Sequence, residues 1–174
     1  VRFIEAVARM IADVADKLAL EEASATSLEI TGPFASGLEP GEGNLVLRTH
    51  ALLAEHARSA GLDLPPFRFR LEKNLPVSAG IGGGSADAAA TLRLLLRATG
   101  FVLSDAQQNA LALKLGADVP VCYGCKSSRM RGIGEQLDPV ELPGWQAVVL
   151  VNPLVPSSTA AVFGKLGLHL GQPH

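Results

Sequence analysis

The stretch that decides the fold runs from Leu75 to Ala98 and reads LPVSAGIGGGSADAAATLRLLLRA. Four of the five residues from Gly80 to Gly84 are glycine, and a run of strong helix formers follows without a spacer. Glycine adopts backbone angles that other residues avoid, and it lets a ligand approach the main chain closely. Successive N–H groups of such a loop can surround an anion, and a helix that begins directly afterwards adds the positive end of its dipole. We therefore predict a phosphate-binding loop, because the alternative, a simple tight turn, needs fewer glycines.

The common nucleotide-binding motifs do not fit this loop. The Walker A motif ends in Gly-Lys-Ser/Thr, and no lysine follows these glycines. The dinucleotide-binding motif requires Gly or Ala at the position that Ser85 occupies. Ser85 stands at the predicted helix start, where its hydroxyl is a candidate ligand of a phosphate oxygen or of Mg²⁺.

The composition is that of a folded chain and excludes several classes of partner. The chain has 174 residues, of which 48% are hydrophobic and 18% charged, with a net charge of −2. This length suits one ordinary domain, or one domain and part of another. No basic run marks a nucleic-acid surface, and no apolar run reaches the roughly 18 residues of a membrane span. We expect neither nucleic acid nor membrane as a partner, and the sequence gives no prediction of oligomeric state.

The two cysteines, Cys122 and Cys125, have CxxC spacing. A zinc site needs further ligands, and a redox pair is expected at the start of a helix, which these flanking residues do not predict. We interpret both as structural residues. Reduced cysteines in a chain without a secretion signal pattern predict a cytoplasmic location.

Hydrophobic periodicity and capping residues predict alternating strands and helices, typical of an α/β or α+β protein. Residues 2–20 have helical spacing at first and then alternate, so a helix that gives way to a strand is one interpretation. The other predicted strands are Ser27–Gly32, Phe67–Pro76, Val119–Tyr123 and Trp145–Pro153, with a Gly-x-Gly turn between short strands in residues 129–140. The predicted helices are Asn44–Gly61, Ser85–Thr99, one that starts with a capping box of Ser104 and Gln107 and ends at Gly116, and Ser157–Gly167.

Pro76–Ala90, PVSAGIGGGSADAAA, resembles the P-x-x-x-G-[LI]-G-x-S-S-A-A phosphate-loop motif of the GHMP kinases. Together with LALKLGADVPVC and RGIGEQLDPV, it is most similar to one branch of that family. Enzymes of this branch use ATP to phosphorylate the 2-hydroxyl of a cytidine-diphosphate-linked methylerythritol, in the non-mevalonate route to isoprenoids. Two alternatives stay open: a GHMP kinase for another small-molecule alcohol, and a non-catalytic ATP- or phosphate-binding protein.

The resemblance implies an α+β fold with a left-handed β-α-β unit, and it implies ATP and Mg²⁺ as cofactors. Residues 1–141 would be an N-terminally incomplete ATP-binding domain, and residues 142–174 the truncated beginning of a ferredoxin-like C-terminal domain. A lysine and a "DGYH"-like segment of the family's N-terminus and its C-terminal "GSG"-like motif do not occur in this sequence. We therefore expect an incomplete catalytic site. The implied ATP-binding residues are Asn44, Lys73, Pro76, Val77, Ser78, Ala79, Gly80, Ile81, Gly82, Gly83, Gly84, Ser85 and Ala86.

Asp118, in GADVP, is the candidate catalytic base that would take the proton of the substrate alcohol. From its sequence context alone, capping or bracing the turn is an equal alternative, and the resemblance favours the catalytic role. Asn44 and Lys73 fall where the family lines its adenine pocket, with a helix cap and an exposed strand charge as the respective alternatives. Asp87 is a candidate cap of the glycine-rich helix, and Glu135 has no expected role beyond a turn.

Overall fold

The structure is a computed structural model that describes residues 15–141, 151, 161, 164 and 165. Its first half contains a mixed three-stranded sheet. Its strands are β1 (Lys17–Glu22), β2 (Ser27–Thr31) and β3 (Phe67–Glu72). The central strand is β3, which is antiparallel to β1 and parallel to β2. The strands predicted at Ser27–Gly32 and Phe67–Pro76 are therefore confirmed, although the second ends at Glu72. The alternating end of residues 2–20 lies in β1, and residues 1–14 lie outside the described part.

The connection from β2 to β3 contains α1, Leu45–Ser59, so that β2, α1 and β3 form a β-α-β unit. The side-chain oxygen of Asn44 caps this helix by accepting a hydrogen bond from the backbone N–H of Val46 at 3.0 Å. The helix ends at Ser59 with Ala60 as its C-cap residue, and Gly61 follows with a φ of +75°. The predicted helix and its N-cap are confirmed.

The core lies between the sheet and the helices because β3 alternates strictly. Phe67, Phe69 and Leu71 are buried, whereas Arg68 and Arg70 are exposed on the other face. Leu53 of α1 packs in the same cluster as the two phenylalanines. This face of the sheet therefore holds the helices in place.

The glycine-rich helix, α2, spans Gly83–Thr99 and so begins two residues earlier than predicted. Gly100 ends it in the left-handed conformation with a φ of +66°, as expected of a C-terminal glycine. The next helix, α3, spans Asp105–Leu115, and both hydrogen bonds of the predicted capping box of Ser104 and Gln107 are present.

The predicted strand Val119–Tyr123 is wrong, because the segment Val119–Gly124 forms a short helix, α4. Pro120 lies in its first turn, where proline needs no hydrogen-bond partner. Val119 packs against Ala88 and Ala89 of α2, and these small residues allow the two helices to approach closely. The apolar pattern thus reflects the burial of Val119, Pro120 and Val121 in a helix rather than strand pairing.

The thiol of Cys122 lies on α4 and is half-buried. Burial raises its pKa to about 12, and the negative charge of Asp118 adds to the shift. This thiol stays protonated at neutral pH, which favours the structural interpretation over a redox role.

The chain then forms a hairpin of β4 (Ser128–Arg131) and β5 (Gln136–Pro139), which confirms the turn between two short strands. The carboxylate of Glu135 accepts a hydrogen bond from the backbone N–H of Ile133 at 2.7 Å, so Glu135 does serve the turn. The predicted strand Trp145–Pro153 and most of the predicted helix Ser157–Gly167 lie outside the described residues; positions 161, 164 and 165 are helical. Among the described helices, none combines the length and the apolar character that a membrane crossing requires.

Gly32, directly after β2, allows the chain to approach the backbone of Lys73. Its φ is +99°, and a Cβ atom there would lie 2.6 Å from the carbonyl oxygen of Lys73. Gly37 has a φ of +82° but open space around it. We predict that Gly37→Ala lowers the free energy of unfolding by about 1–2 kcal/mol through backbone strain. Gly32→Ala should cost at least about twice as much, because the clash with main-chain atoms adds to the strain.

Chemical denaturation of the two variants beside the wild-type chain measures this difference. Equal losses of stability in the two variants would show that the approach to Lys73 imposes no constraint of its own.

Candidate functional site

A cavity of about 380 Å³ lies between the start of α1, the end of β3 and the glycine loop, which we define as Pro76–Gly82. Its volume is within the range of small-molecule sites. The lining residues are Leu38, Gly43, Asn44, Leu45, Leu71, Lys73, Pro76, Val77, Ser78, Ala79, Gly80, Ile81, Gly82, Gly83, Gly84, Ser85 and Asp87. Every residue that the sequence analysis assigned to ATP, except Ala86, therefore lines one cavity.

Glycine is present at these four positions for different structural reasons. Gly80 and Gly82 both have a φ of +71°, which only glycine adopts easily, and Gly82 is the N-cap residue of α2. Gly83 and Gly84 are helical. A Cβ atom on Gly83 would lie 3.3 Å from the Nζ atom of Lys73, so this glycine leaves room for a side chain. Unusual backbone angles thus explain the first two glycines only.

The backbone N–H groups of residues 80–85 donate no hydrogen bond to the part of the chain that the structure describes. The first backbone bond of α2 runs from Ala86 N to Gly82 O at 2.9 Å, so the preceding N–H groups have no helical partner. All of these residues line the cavity. A run of free donors at the positive end of a helix dipole attracts an anion, and phosphate is the typical one.

A buried ammonium lies between two carboxylates at the wall of this cavity. The Nζ atom of Lys73 donates to Oδ2 of Asp16 and, at 2.8 Å, to Oδ2 of Asp87. The three side chains are only 4%, 5% and 10% exposed. The alternative of an exposed strand charge at Lys73 is therefore wrong, and Asp87 pairs with this lysine instead of capping α2.

Burial and charge shift the pKa values of this cluster in opposite ways. Burial alone would lower the pKa of Lys73, but the hydrogen bonds with Asp16 and Asp87 outweigh it, so the pKa is raised. Burial raises the pKa of Asp87 to about 6, because the bond with Lys73 offsets only part of the desolvation and the charge of Asp16 adds to the shift. The ammonium is thus firmly charged, whereas Asp87 holds its charge less firmly.

A pattern in the sequence predicts the burial of Lys73. Phe67, Phe69 and Leu71 alternate on the inner face of β3, and Lys73 follows at the same spacing. Continuing the pattern by one step predicts an inward lysine, which requires an acidic partner. Asp16 had no comparable signal, because it comes from a distant part of the chain.

Asn44 both caps α1 and lines the cavity, so its cap role is confirmed and its contact with a nucleotide stays a prediction. Asp118 does not line the cavity. It is the N-cap residue of α4, half-buried, beside the helix that packs on Ala88 and Ala89 of α2. Its carboxylate forms no capping hydrogen bond, so the alternative of a helix cap is wrong.

Comparison with known proteins gives a family and a set of relatives. Residues 44–126 match the model of the GHMP kinases N terminal domain. The 4-diphosphocytidyl-2-C-methyl-D-erythritol kinase of Bradyrhizobium sp. (strain BTAi1) is 50% identical over 160 residues, 92% of this chain and 52% of the relative. A kinase of the same name from Methylorubrum extorquens is 50% identical over 162 residues, 92% of this chain and 54% of the relative. The chain therefore spans about half the length of the curated relatives it matches.

Solved structures agree with this assignment. A crystal structure of 4-(cytidine 5'-diphospho)-2C-methyl-D-erythritol kinase has a TM-score of 0.57 and 36% identity, over 75% of this chain and 43% of that chain. A homoserine kinase from Cytophaga hutchinsonii has a TM-score of 0.52 at 17% identity, over 87% of this chain and 56% of that chain, and supports the fold alone.

The raised pKa of Asp87 predicts a pH dependence of stability. Its pKa is about 6 in the folded chain against an ordinary value of 3.8, so between these pH values the folded state holds a proton that the unfolded chain has released. The stability that this bound proton contributes to the folded state is fully present below pH 4 and is lost as the pH rises through 6. We predict that the unfolding free energy of the wild-type chain, minus that of Asp87→Asn, increases when the pH falls from 7 to 5.

Chemical denaturation at several pH values between 5 and 7 measures this difference. Asp63→Asn is the matched control, because Asp63 is exposed and outside the site. Parallel pH profiles of the wild-type chain and Asp87→Asn would contradict the prediction.

Proposed function

Because residues 44–126 carry the N-terminal domain of the GHMP kinases, we propose that this protein is an ATP-dependent small-molecule kinase. Its acceptor is the 2-hydroxyl of 4-diphosphocytidyl-2-C-methyl-D-erythritol, in the non-mevalonate route to isoprenoid precursors. The substrate assignment is supported by the names of relatives that are about 50% identical over 92% of this chain. We place the protein in the cytoplasm, which its two free cysteines support.

We infer ATP binding from the run of free N–H groups at residues 80–85. They line the cavity together with the N-terminus of α2 and would hold the phosphate oxygens of ATP. Phosphoryl transfer depends mainly on such positioning and on stabilising charge, because the protein has little covalent chemistry to perform. We assign the loop residues Pro76–Gly82, Gly83–Ala86 and Asn44 to ATP.

Ser85 is our candidate protein ligand for Mg²⁺. It lies in the first turn of α2 at the cavity, and in residues 15–141 its hydroxyl has no hydrogen-bond partner. Mg²⁺ is typically held by one or two protein oxygens together with substrate phosphates, so a single hydroxyl fits this role. The bound ion would neutralise charge that develops on the transferred phosphoryl group.

Asp118 is our candidate for the catalytic base. Its carboxylate is half-buried and forms no capping bond, so it is able to accept a proton from an alcohol. Its place next to α4, which packs on the N-terminal half of α2, puts it near the helix that begins at the glycine loop. Asp118 lies outside the cavity, so the acceptor alcohol would approach from the α4 side.

A chimaera tests the proposed reaction directly. This chain replaces the aligned segment of the Bradyrhizobium relative, and ADP release is followed with ATP, Mg²⁺ and 4-diphosphocytidyl-2-C-methyl-D-erythritol. The intact relative is the positive control. Mg²⁺-dependent turnover supports the proposal. Turnover only with a different alcohol would show that the substrate assignment is wrong. ATP binding without turnover on any alcohol would favour a non-catalytic nucleotide-binding protein.

We predict that Asp118→Asn in this chimaera lowers kcat by about 10²–10⁴, the usual contribution of a general base, and leaves ATP affinity nearly unchanged. The reason is that Asp118 does not line the cavity that would bind ATP. Steady-state kinetics and nucleotide titration measure the two quantities, with Asp63→Asn as a control that should behave as the parent. Full activity of Asp118→Asn would remove this residue from the mechanism.

We further predict that Gly80→Ala weakens ATP binding by roughly tenfold, because alanine resists the positive φ that shapes the loop. Space around Gly80 is open, so the substitution changes the backbone preference without a clash. Gly61→Ala is the matched control, since Gly61 has a φ of +75°, open space and no place in the cavity. Calorimetric titration with ATP and Mg²⁺ measures the effect. Equal ATP affinities of the two variants would show that the loop is only a turn and does not bind ATP.

A further inference from the structure

The glycine loop leaves β3 and enters α2 at two points that one buried cluster holds together. On the β3 side, Oδ1 of Asp16 accepts hydrogen bonds from the backbone N–H groups of Asn74 at 2.7 Å and Leu75 at 2.8 Å, directly before the loop. On the α2 side, Asp87 lies one turn after the helix start. Lys73 donates to both carboxylates and so connects the two sides.

We propose that Lys73, Asp16 and Asp87 form a clamp that fixes the two ends of the glycine loop, and that Lys73 is a positioning residue rather than a phosphate ligand. This inference rests on the proposed function for its effect on ATP, whereas the clamp itself is a property of the nucleotide-free chain.

The charges of the cluster argue against Lys73 as the residue that neutralises phosphate. Two carboxylates share one ammonium, so with all three groups ionised the cluster carries a net negative charge. A lysine in this setting adds no net positive charge to the cavity. Attraction for an anion therefore comes from the free N–H groups of residues 80–85 and the dipole of α2.

The packing around Lys73 shows that the clamp is held on several sides. The backbone N–H of Lys73 donates to the carbonyl oxygen of Thr31 at 2.7 Å, and its carbonyl oxygen accepts from the N–H of Phe34 at 3.1 Å. On the other side, Gly83 leaves room for the ammonium, because a Cβ atom there would lie 3.3 Å from Nζ. A Cβ atom on Gly83 would therefore press against the ammonium, and Lys73 would have to shift by a few tenths of an ångström to make room for it.

Removal of one carboxylate separates the two roles of Lys73 by the sign of the effect. Asp87→Ala removes a negative charge beside the cavity and frees the ammonium from one partner. If Lys73 bound phosphate directly, this variant would bind ATP more tightly. As a clamp residue, Asp87 holds the start of α2, and its loss should weaken ATP binding by about tenfold, with Lys73→Met showing the same loss.

Hydrogen–deuterium exchange of the nucleotide-free chain tests the clamp without ATP. Alanine is a better helix former than aspartate, so helix propensity alone predicts slower exchange in Asp87→Ala. The clamp predicts the opposite: exchange at residues 86–88, in the first turns of α2, rises at least about fivefold, while α3 stays unchanged. Glu21→Ala is the matched control, because Glu21 pairs with Arg70 on the exposed face of the sheet.

The outcomes are distinct. Faster exchange at residues 86–88 together with weaker ATP binding supports the proposal. Unchanged or slower exchange there overturns it, and tighter ATP binding would assign Lys73 to the phosphates. If the chimaera with the Bradyrhizobium relative binds no ATP, the proposed function fails, and the exchange result on the nucleotide-free chain still decides whether the clamp exists. Asp87→Asn, which keeps the size of the side chain, replaces Asp87→Ala in both measurements if the alanine variant does not fold.

Discussion

The ammonium of Lys73 joins three segments that are far apart in the sequence. Its partners are Asp16, which precedes β1, and Asp87, which lies on the helix after the glycine loop. A buried charge without a partner is very costly, so each of these segments must reach the cluster for the others to be stable there. The position of the glycine loop, and hence the shape of the cavity, depends on this requirement.

The side chains of the cluster and the backbone of the glycine loop have different roles in the site. The charged side chains are occupied with one another, and the N–H groups of residues 80–85 remain free of partners within the described chain. Glycines at residues 80 and 82 supply the backbone angles, while Gly83 supplies space for Lys73. A phosphate-binding site of this kind needs rigid placement more than it needs additional charge, because a helix N-terminus attracts anions only over a short range.

Features that depend on neighbouring residues were predictable from the sequence. The cap of α1 by Asn44, the capping box of α3 and the alternation of β3 are all local patterns, and the structure confirms each one. The strand predicted at Val119–Tyr123 failed because an apolar run does not reveal what it packs against. Ala88 and Ala89, about thirty residues away in the chain, provide a surface that suits a short helix.

The glycine loop, the helix that follows it, most of the elements around them and the candidate residues of the cavity were predictable from the sequence without a structure. The identity of the two carboxylates that pair with Lys73, and the position of Asp118 outside the cavity, are visible only in the tertiary structure. The physical reason is the distance along the chain over which each kind of interaction acts. Caps, turns and periodicity arise from contacts within a few residues, whereas desolvation and ion pairing depend on which distant segments meet when the core closes.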